Sequence, residues 1–123
     1  TYSDTMKKNL LNVSEDILKS YGAVSEQVVR QMAKNALILS RAKFVVAVSG
    51  IAGPDGGTAE KPVGTVWFCW GTKDDLRTCQ LLWSVERSLF QTLVAASGLD
   101  LIRRYIKKSS SLPTSLKQKL VVE

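Results

Sequence analysis

The residues whose types and spacing could do chemistry are concentrated in Ser49 to Lys61, SGIAGPDGGTAEK, where four of the first nine residues are glycine. Gly50, Gly53, Gly56 and Gly57 can adopt positive φ and carry no side chain, so successive backbone N–H groups can converge on a phosphate or an oxyanion. The same Gly-Pro-Asp-Gly-Gly run is also ordinary turn chemistry, so an anion cradle and a plain connection both fit it. The chain contains no histidine. That excludes a Ser-His or Cys-His nucleophilic pair within these residues and the usual histidine-ligated zinc site. Acid–base chemistry here must fall to lysine, tyrosine or a carboxylate. Cys69 and Cys79 have no Cys-x-x-Cys spacing and stand among apolar residues. They read as buried free thiols, with a cross-strand disulfide as the other reading.

The elements that must position this stretch can be read on either side of it. Phe44 to Val48, FVVAV, lacks polar alternation and reads as a strand buried on both faces, with the glycine loop at its C-terminal end, where open α/β sheets place ligands. Thr65 to Trp70 and Arg77 to Trp83 form a hairpin around Thr72-Lys73-Asp74-Asp75, with Val66, Phe68 and Trp70 on one face and Trp67 and Cys69 on the other. Upstream, Asp4 or Ser3 can cap a short helix through Leu11, and Ser14 with Glu15 and Asp16 caps a second ending near Gly22. Ser25 opens a longer helix. Its apolar stripe is Val28, Val29, Met32, Ala33, Ala36 and Leu37, with Arg30, Gln31 and Lys34 turned to water. A last helix spans Val85 to Ile106. Leu89, Leu93, Ala96, Leu99 and Ile102 to Ile106 form its apolar side, and Gly98 is a flaw that it tolerates. The fold expected is a three-layer α/β/α domain with a mixed sheet.

At 123 residues the chain suits one domain with a real core. Its net charge of +6 invites a nucleic-acid reading, but Lys107, Lys108, Lys117 and Lys119 against Glu123 place half of that excess in the tail. No basic helix interleaved with stacking aromatics accompanies it, so no nucleic-acid partner is expected. There is no membrane-spanning apolar run and no signal-like segment, which leads to the expectation of a cytoplasmic protein. Residues 107–123 are polar, broken by Pro113, and read as a mobile tail.

Thr1-Tyr2-Ser3-Asp4 followed by Lys7, then Gly22-Ala23-Val24-Ser25, SGIAGPDGG and Lys61-Pro62-Val63-Gly64-Thr65-Val66 follow one another in a specific order and spacing. In that order and spacing they resemble the C-terminal domain of the CinA (competence/damage-inducible protein) family, over residues 1–106. The resemblance implies hydrolysis of the carboxamide of nicotinamide mononucleotide to nicotinate mononucleotide and ammonia, without a cofactor. It implies Tyr2 and Lys7 as catalytic residues. Gly50, Ala52, Gly53, Gly56, Gly57, Lys61 and Arg87 are the implied substrate contacts. The partners expected are the small nucleotide and further copies of the chain.

Family members begin with a further strand and helix bearing Ala-Glu-Ser-Cys-Thr-Gly-Gly, whose serine is the nucleophile, and the present sequence opens after it. Thr1-Tyr2-Ser3 reads as the end of a strand begun elsewhere, so the upstream segment is itself an expected partner. Asp4 replaces the family's usual asparagine. The family's Gly-Asp-Arg before the last helix stands here as Val85-Glu86-Arg87, and a common arginine one turn later is Gln91. Tyr2 as a surface strand-end residue and Lys7 as a solvated helix lysine are the plain alternatives. Two other functions stay open: a catalytically silent nucleotide-binding or assembly domain, and an exposed Thr1 acting as an N-terminal nucleophile.

Overall fold

The computed structural model describes residues 8–9, 12–107 and the backbone of 120–121. Helix α1, Glu15–Tyr21, opens with Glu15 and Asp16 and closes with Lys19, each charge complementing the nearby end of the helix dipole. Ser14 stands at its N-cap, but the side chain makes no capping bond; its backbone N–H instead donates to Gln31 Oε1 at 2.6 Å. The chain then turns at Gly22, φ 79°, whose N–H donates to Leu18 O. Helix α2, Glu26–Ser40, is capped by Ser25, whose Oγ accepts from Val28 N and donates to Gly22 O. This is the N-cap geometry that the sequence indicates.

The apolar stripe of α2 is buried at Val28, Val29, Met32, Ala33 and Leu37. Arg30 and Gln31, expected to face water, do not simply do so. Arg30 reaches across to Leu76 O and also holds Glu26, and Gln31 is the acceptor that ties α1 to α2. Both are half-buried, because a neighbouring element packs against the flank of the helix.

Strands β1, Val45–Gly50, β2, Thr65–Thr72, β3, Asp75–Leu82, and β4, Leu120–Val121, form a sheet in that order. β2 and β3 are joined by a two-residue turn, Lys73-Asp74. Trp67 and Cys69 project toward α2 in a core with Val28, Val29 and Met32. Val66, Phe68 and Trp70 project the other way, into a second core with Phe90 and Leu101 of helix α3, Arg87–Ile106. The period-two alternation of β2 thus fills both cores, and the molecule is a three-layer α/β/α domain. The three ladders among the described residues are all antiparallel, so the parallel pairing that a mixed sheet requires does not occur among them.

The double burial expected of the first strand belongs to β2 instead. β1 starts at Val45 and is largely half-buried, since among the described residues it pairs with β2 alone. Cys69 and Cys79 are both free and lie in opposite cores, because alternate faces of the sheet carry them. Burial pushes their thiols up to about 11 and 12 respectively, which makes both poor nucleophiles near neutral pH. The tail expected to be mobile lies mostly outside the described residues. Its described part is a correction: β4 pairs with Gln80 and Leu81 of β3.

α3 departs most from the sequence reading. It starts at Arg87, where Glu86 is the N-cap and its carboxylate accepts from Leu89 N. Its buried residues are Phe90, Ser97, Gly98 and Leu101, whereas Leu89, Ala96 and Leu99 are exposed. Gly98 is therefore a contact residue of the sheet and more than a flaw that the helix tolerates. A Cβ there would lie 3.5 Å from Phe68 and 3.6 Å from Val46, ordinary packing distances. Gly98→Ala is expected to raise unfolding stability by about 0.5–1 kcal/mol through helix propensity. Thermal or urea unfolding checks this, and a loss of stability would show that the helix cannot sit above a methyl group.

Candidate active site at the glycine loop

β1 and β2 are adjacent antiparallel strands, and the glycine stretch is the long connection between them. Its base is tied by Ile51 N to Thr65 O at 2.9 Å and by Gly64 N to Ile51 O at 2.7 Å. Thr65 Oγ1 donates to Pro62 O, and a tight turn closes on Thr58 N to Lys61 O. Within this frame Gly53 and Gly56 hold φ values of 81° and 97°, and the Gly53-Pro54 peptide is cis. Gly57 is required for a different reason: a Cβ there would stand 2.5 Å from the backbone N of Val63.

The loop's own hydrogen bonds leave a set of donors over. The N–H groups of Ala52, Gly53, Asp55, Gly56 and Gly57 meet no acceptor among the described residues. Amides of a glycine-rich loop that carry no internal partner can bind an anionic oxygen where they converge. Gly50 ends β1 beneath them, where a Cβ would crowd Val66 and Phe90 at 3.1 and 3.2 Å. Ala52 packs against the α3-side core and so fixes the height of the loop above it.

The two cations expected at the site have separate partners. Arg87 Nη1, from the first turn of α3, donates to Gly53 O at 3.0 Å and brings a positive charge to the glycine turn. Lys61 Nζ donates to Tyr21 O, at the end of α1. It lines a cavity of about 240 Å³ on the α2 side, together with Glu26, Trp67 and Gln80. Arg87 thus joins the glycine turn, while Lys61 belongs to a neighbouring cavity. Tyr2 and Lys7 lie outside the described residues, as does Thr1.

Ser49 is not singled out by the sequence pattern for a role of its own. It is buried in β1 and its Oγ donates to Ala23 O at 2.8 Å, which links the Gly22-Ala23-Val24-Ser25 corner to the start of the glycine loop. No feature of the local sequence signals that bond, because its partners are far apart in the chain. Arg30, Glu26 and Thr78 add a polar bridge from α2 to β3 beside the same cavity. Among the described residues no group of three or more His, Cys, Asp or Glu side chains could hold a metal ion.

The family model of the CinA C-terminal domain matches residues 1–106. The chain belongs to the CinA C-terminal domain family. A CinA-like protein of Colwellia psychrerythraea is 52% identical over 119 residues, covering 97% of this chain and 28% of that protein. The nicotinamide-nucleotide amidohydrolase PncC of Enterobacter agglomerans is 50% identical over 109 residues, covering 87% of this chain and 66% of the relative. The crystal structure of the competence/damage inducible protein CihA from Agrobacterium tumefaciens superposes with a TM-score of 0.78 at 38% identity, covering 82% of this chain and 62% of that one. This CinA domain therefore spans from about a quarter to two thirds of the relatives it resembles. Those structural relatives support the same α/β fold for the CinA domain. Among its described residues no helix is long and apolar enough to cross a membrane.

Proposed function

We propose that this domain takes part in hydrolysing the carboxamide of nicotinamide mononucleotide, giving nicotinate mononucleotide and ammonia. The observation that carries the reading is the half-identical relative named a nicotinamide-nucleotide amidohydrolase. A match over that share of the chain must include the glycine loop. Amide hydrolysis needs a nucleophile for the carbonyl carbon, a base to activate it and an acid for the departing ammonia. The nucleophile is the serine of the Ala-Glu-Ser-Cys-Thr-Gly-Gly motif that family members carry upstream of the position matching Thr1. Lys7 takes its proton. Tyr2 relays a proton to the leaving nitrogen.

Attack forms a C–O bond and places negative charge on the carbonyl oxygen; collapse breaks the C–N bond and expels ammonia. Water then hydrolyses the acyl-serine, restoring the hydroxyl and releasing the carboxylate. The unclaimed amides from Ala52 to Gly57 hold the phosphate or the oxyanion in this scheme, and Arg87 adds charge beside them. Lys61 contributes from the adjoining cavity. In this scheme a pyridinium ring bound beside the base would favour the neutral, basic form of a lysine.

A second reading, a silent nucleotide-binding domain, is favoured by the engagement of the buried serines nearest the loop. Ser49 bonds Ala23 O, and Ser25 is a helix cap. The test is ammonia release from nicotinamide mononucleotide by the full protein, measured with and without chelator. The expected result is one ammonia per nicotinate mononucleotide in both conditions. Nucleotide binding without turnover would support the silent reading, and turnover abolished by chelator and restored by a divalent ion would overturn the metal-free scheme.

A further inference from the structure

At the corner between α1 and α2 the backbone carbonyls of three successive residues are each taken by a side chain. Tyr21 O, one of the carbonyls that a helix leaves without an internal partner at its C-terminus, accepts from Lys61 Nζ. Gly22 O accepts from Ser25 Oγ and Ala23 O from Ser49 Oγ, both at 2.8 Å. Of these donors only Ser25 is local. Ser49 and Lys61 stand at the two ends of the glycine stretch, so both of its ends grip one corner. Gly22 keeps the way open for the lysine, since a Cβ there would stand 3.2 Å from Nζ.

The two grips are anchored differently. Ser49 is buried in β1, and the strand fixes the direction of its hydroxyl. Lys61 is half-buried, and its root is held by Thr58: Lys61 N donates to Thr58 Oγ1 at 3.0 Å, and Thr58 N donates to Lys61 O at 2.9 Å. An ammonium at a helix C-terminus also meets the negative end of the helix dipole. The charge of Lys61 is thus committed to a carbonyl of α1, while the glycine turn has Arg87 at Gly53 O.

We propose that Ser49 and Lys61 are positioning residues that latch the glycine loop to the α1–α2 corner, Lys61 acting through Tyr21 O and touching no part of the substrate. In sequence α1 follows the segment that carries Tyr2 and Lys7, so a latch onto its end ties the loop to the chain that leads in from those residues. Each grip holds the other near its acceptor, so the two bonds support one another. The effect on catalysis rests on the amidohydrolase reading; the latch itself does not.

Amide hydrogen exchange of the full protein, read at Thr58, tests the latch without substrate. Lys61→Met should speed exchange there about tenfold, the worth of one charge-assisted hydrogen bond, and leave Ile51 and Gly64 at the foot of the loop unchanged. Ser49→Ala should speed the same amide from the other end of the stretch. The double variant should exceed either by less than the product of the two effects. Lys61→Arg, which can still donate to Tyr21 O, should restore slow exchange. Unaltered exchange at Thr58 in Lys61→Met overturns the latch, and equal acceleration at Thr58, Ile51 and Gly64 overturns it in favour of a general loss of stability. With nicotinamide mononucleotide, Lys61→Met should lower kcat about tenfold while the dissociation constant stays within about twofold. A weakened dissociation constant with Thr58 unaltered would make Lys61 a substrate contact and overturn the proposal. A wild type without turnover would refute the amidohydrolase reading alone, and the exchange result would still decide the latch.

Discussion

Replacing Lys7 with arginine is expected to lower amide hydrolysis by about 10²–10⁴-fold, the usual contribution of a general base, while nucleotide affinity changes little. Arginine keeps the positive charge and much of the length, but its pKa lies too high for it to accept a proton near neutral pH. A purely electrostatic role for Lys7 would survive the change, and a base would not. The discriminating measurement pairs kcat from ammonia release with the dissociation constant of the nucleotide from calorimetry. Near-normal kcat would reduce Lys7 to an electrostatic or surface residue and would move the search for a base to another tyrosine, lysine or carboxylate.

Gly64→Ala is expected to destabilise the fold by about 3 kcal/mol or more and to abolish any activity of the glycine loop. A Cβ at this position would lie 2.1 Å from the carbonyl oxygen of Trp83, and Gly64 holds φ at 96°. Neither side of that contact is free to yield. Gly64 N donates to Ile51 O and Gly64 O accepts from Trp83 N at 3.0 Å, so this residue bolts the foot of the loop to the exit of β3. Gly56→Ala provides the contrast. Its φ is similar, at 97°, but the nearest atom to a Cβ is 3.7 Å away, so only backbone strain of about 1 kcal/mol is expected. Denaturant unfolding of the two variants should rank them clearly. A Gly64→Ala midpoint equal to that of the wild type would mean that the loop foot is not held in this geometry.

The parts of the fold that are legible in the sequence are those whose signals are local. Ser25 caps α2 where Ser, Glu and an apolar stripe coincide, and the two-residue turn at Lys73-Asp74 falls between two β-rich runs. The alternation of Val66, Phe68 and Trp70 against Trp67 and Cys69 correctly assigns faces, because side-chain direction in a strand follows from the backbone alone. α3 is misread because it has apolar residues on two faces. Leu89, Ala96 and Leu99 are as apolar as Phe90 and Leu101, and periodicity cannot tell which stripe meets the sheet. The bulkier ring of Phe90 and the absent side chain of Gly98 decide it, through packing against Phe68 and β1.

The candidate site divides in the same way. The glycine loop announces itself by composition, and its required glycines fall where the turn demands them. The separate engagements of Arg87 with Gly53 and of Lys61 with Tyr21 depend on contacts 34 and 40 residues apart in sequence, which no local pattern encodes. Ser49 and Ala23 are joined across 26 residues for the same reason. Spacing locates the loop, and tertiary contact sorts the cations around it.

Whether the loop between β1 and β2 is the substrate cradle is tested most directly by amide-resolved NMR during titration with nicotinamide mononucleotide. Binding should move the amide resonances of Ala52, Gly53, Asp55, Gly56 and Gly57 together, with a single dissociation constant, and should perturb the Nε–H signal of Arg87 in parallel. Inorganic phosphate should reproduce part of that pattern if the loop holds the phosphate, and none of it if the loop holds the carboxamide oxygen. Saturable binding that leaves all five amides unmoved would mean that the substrate is held elsewhere.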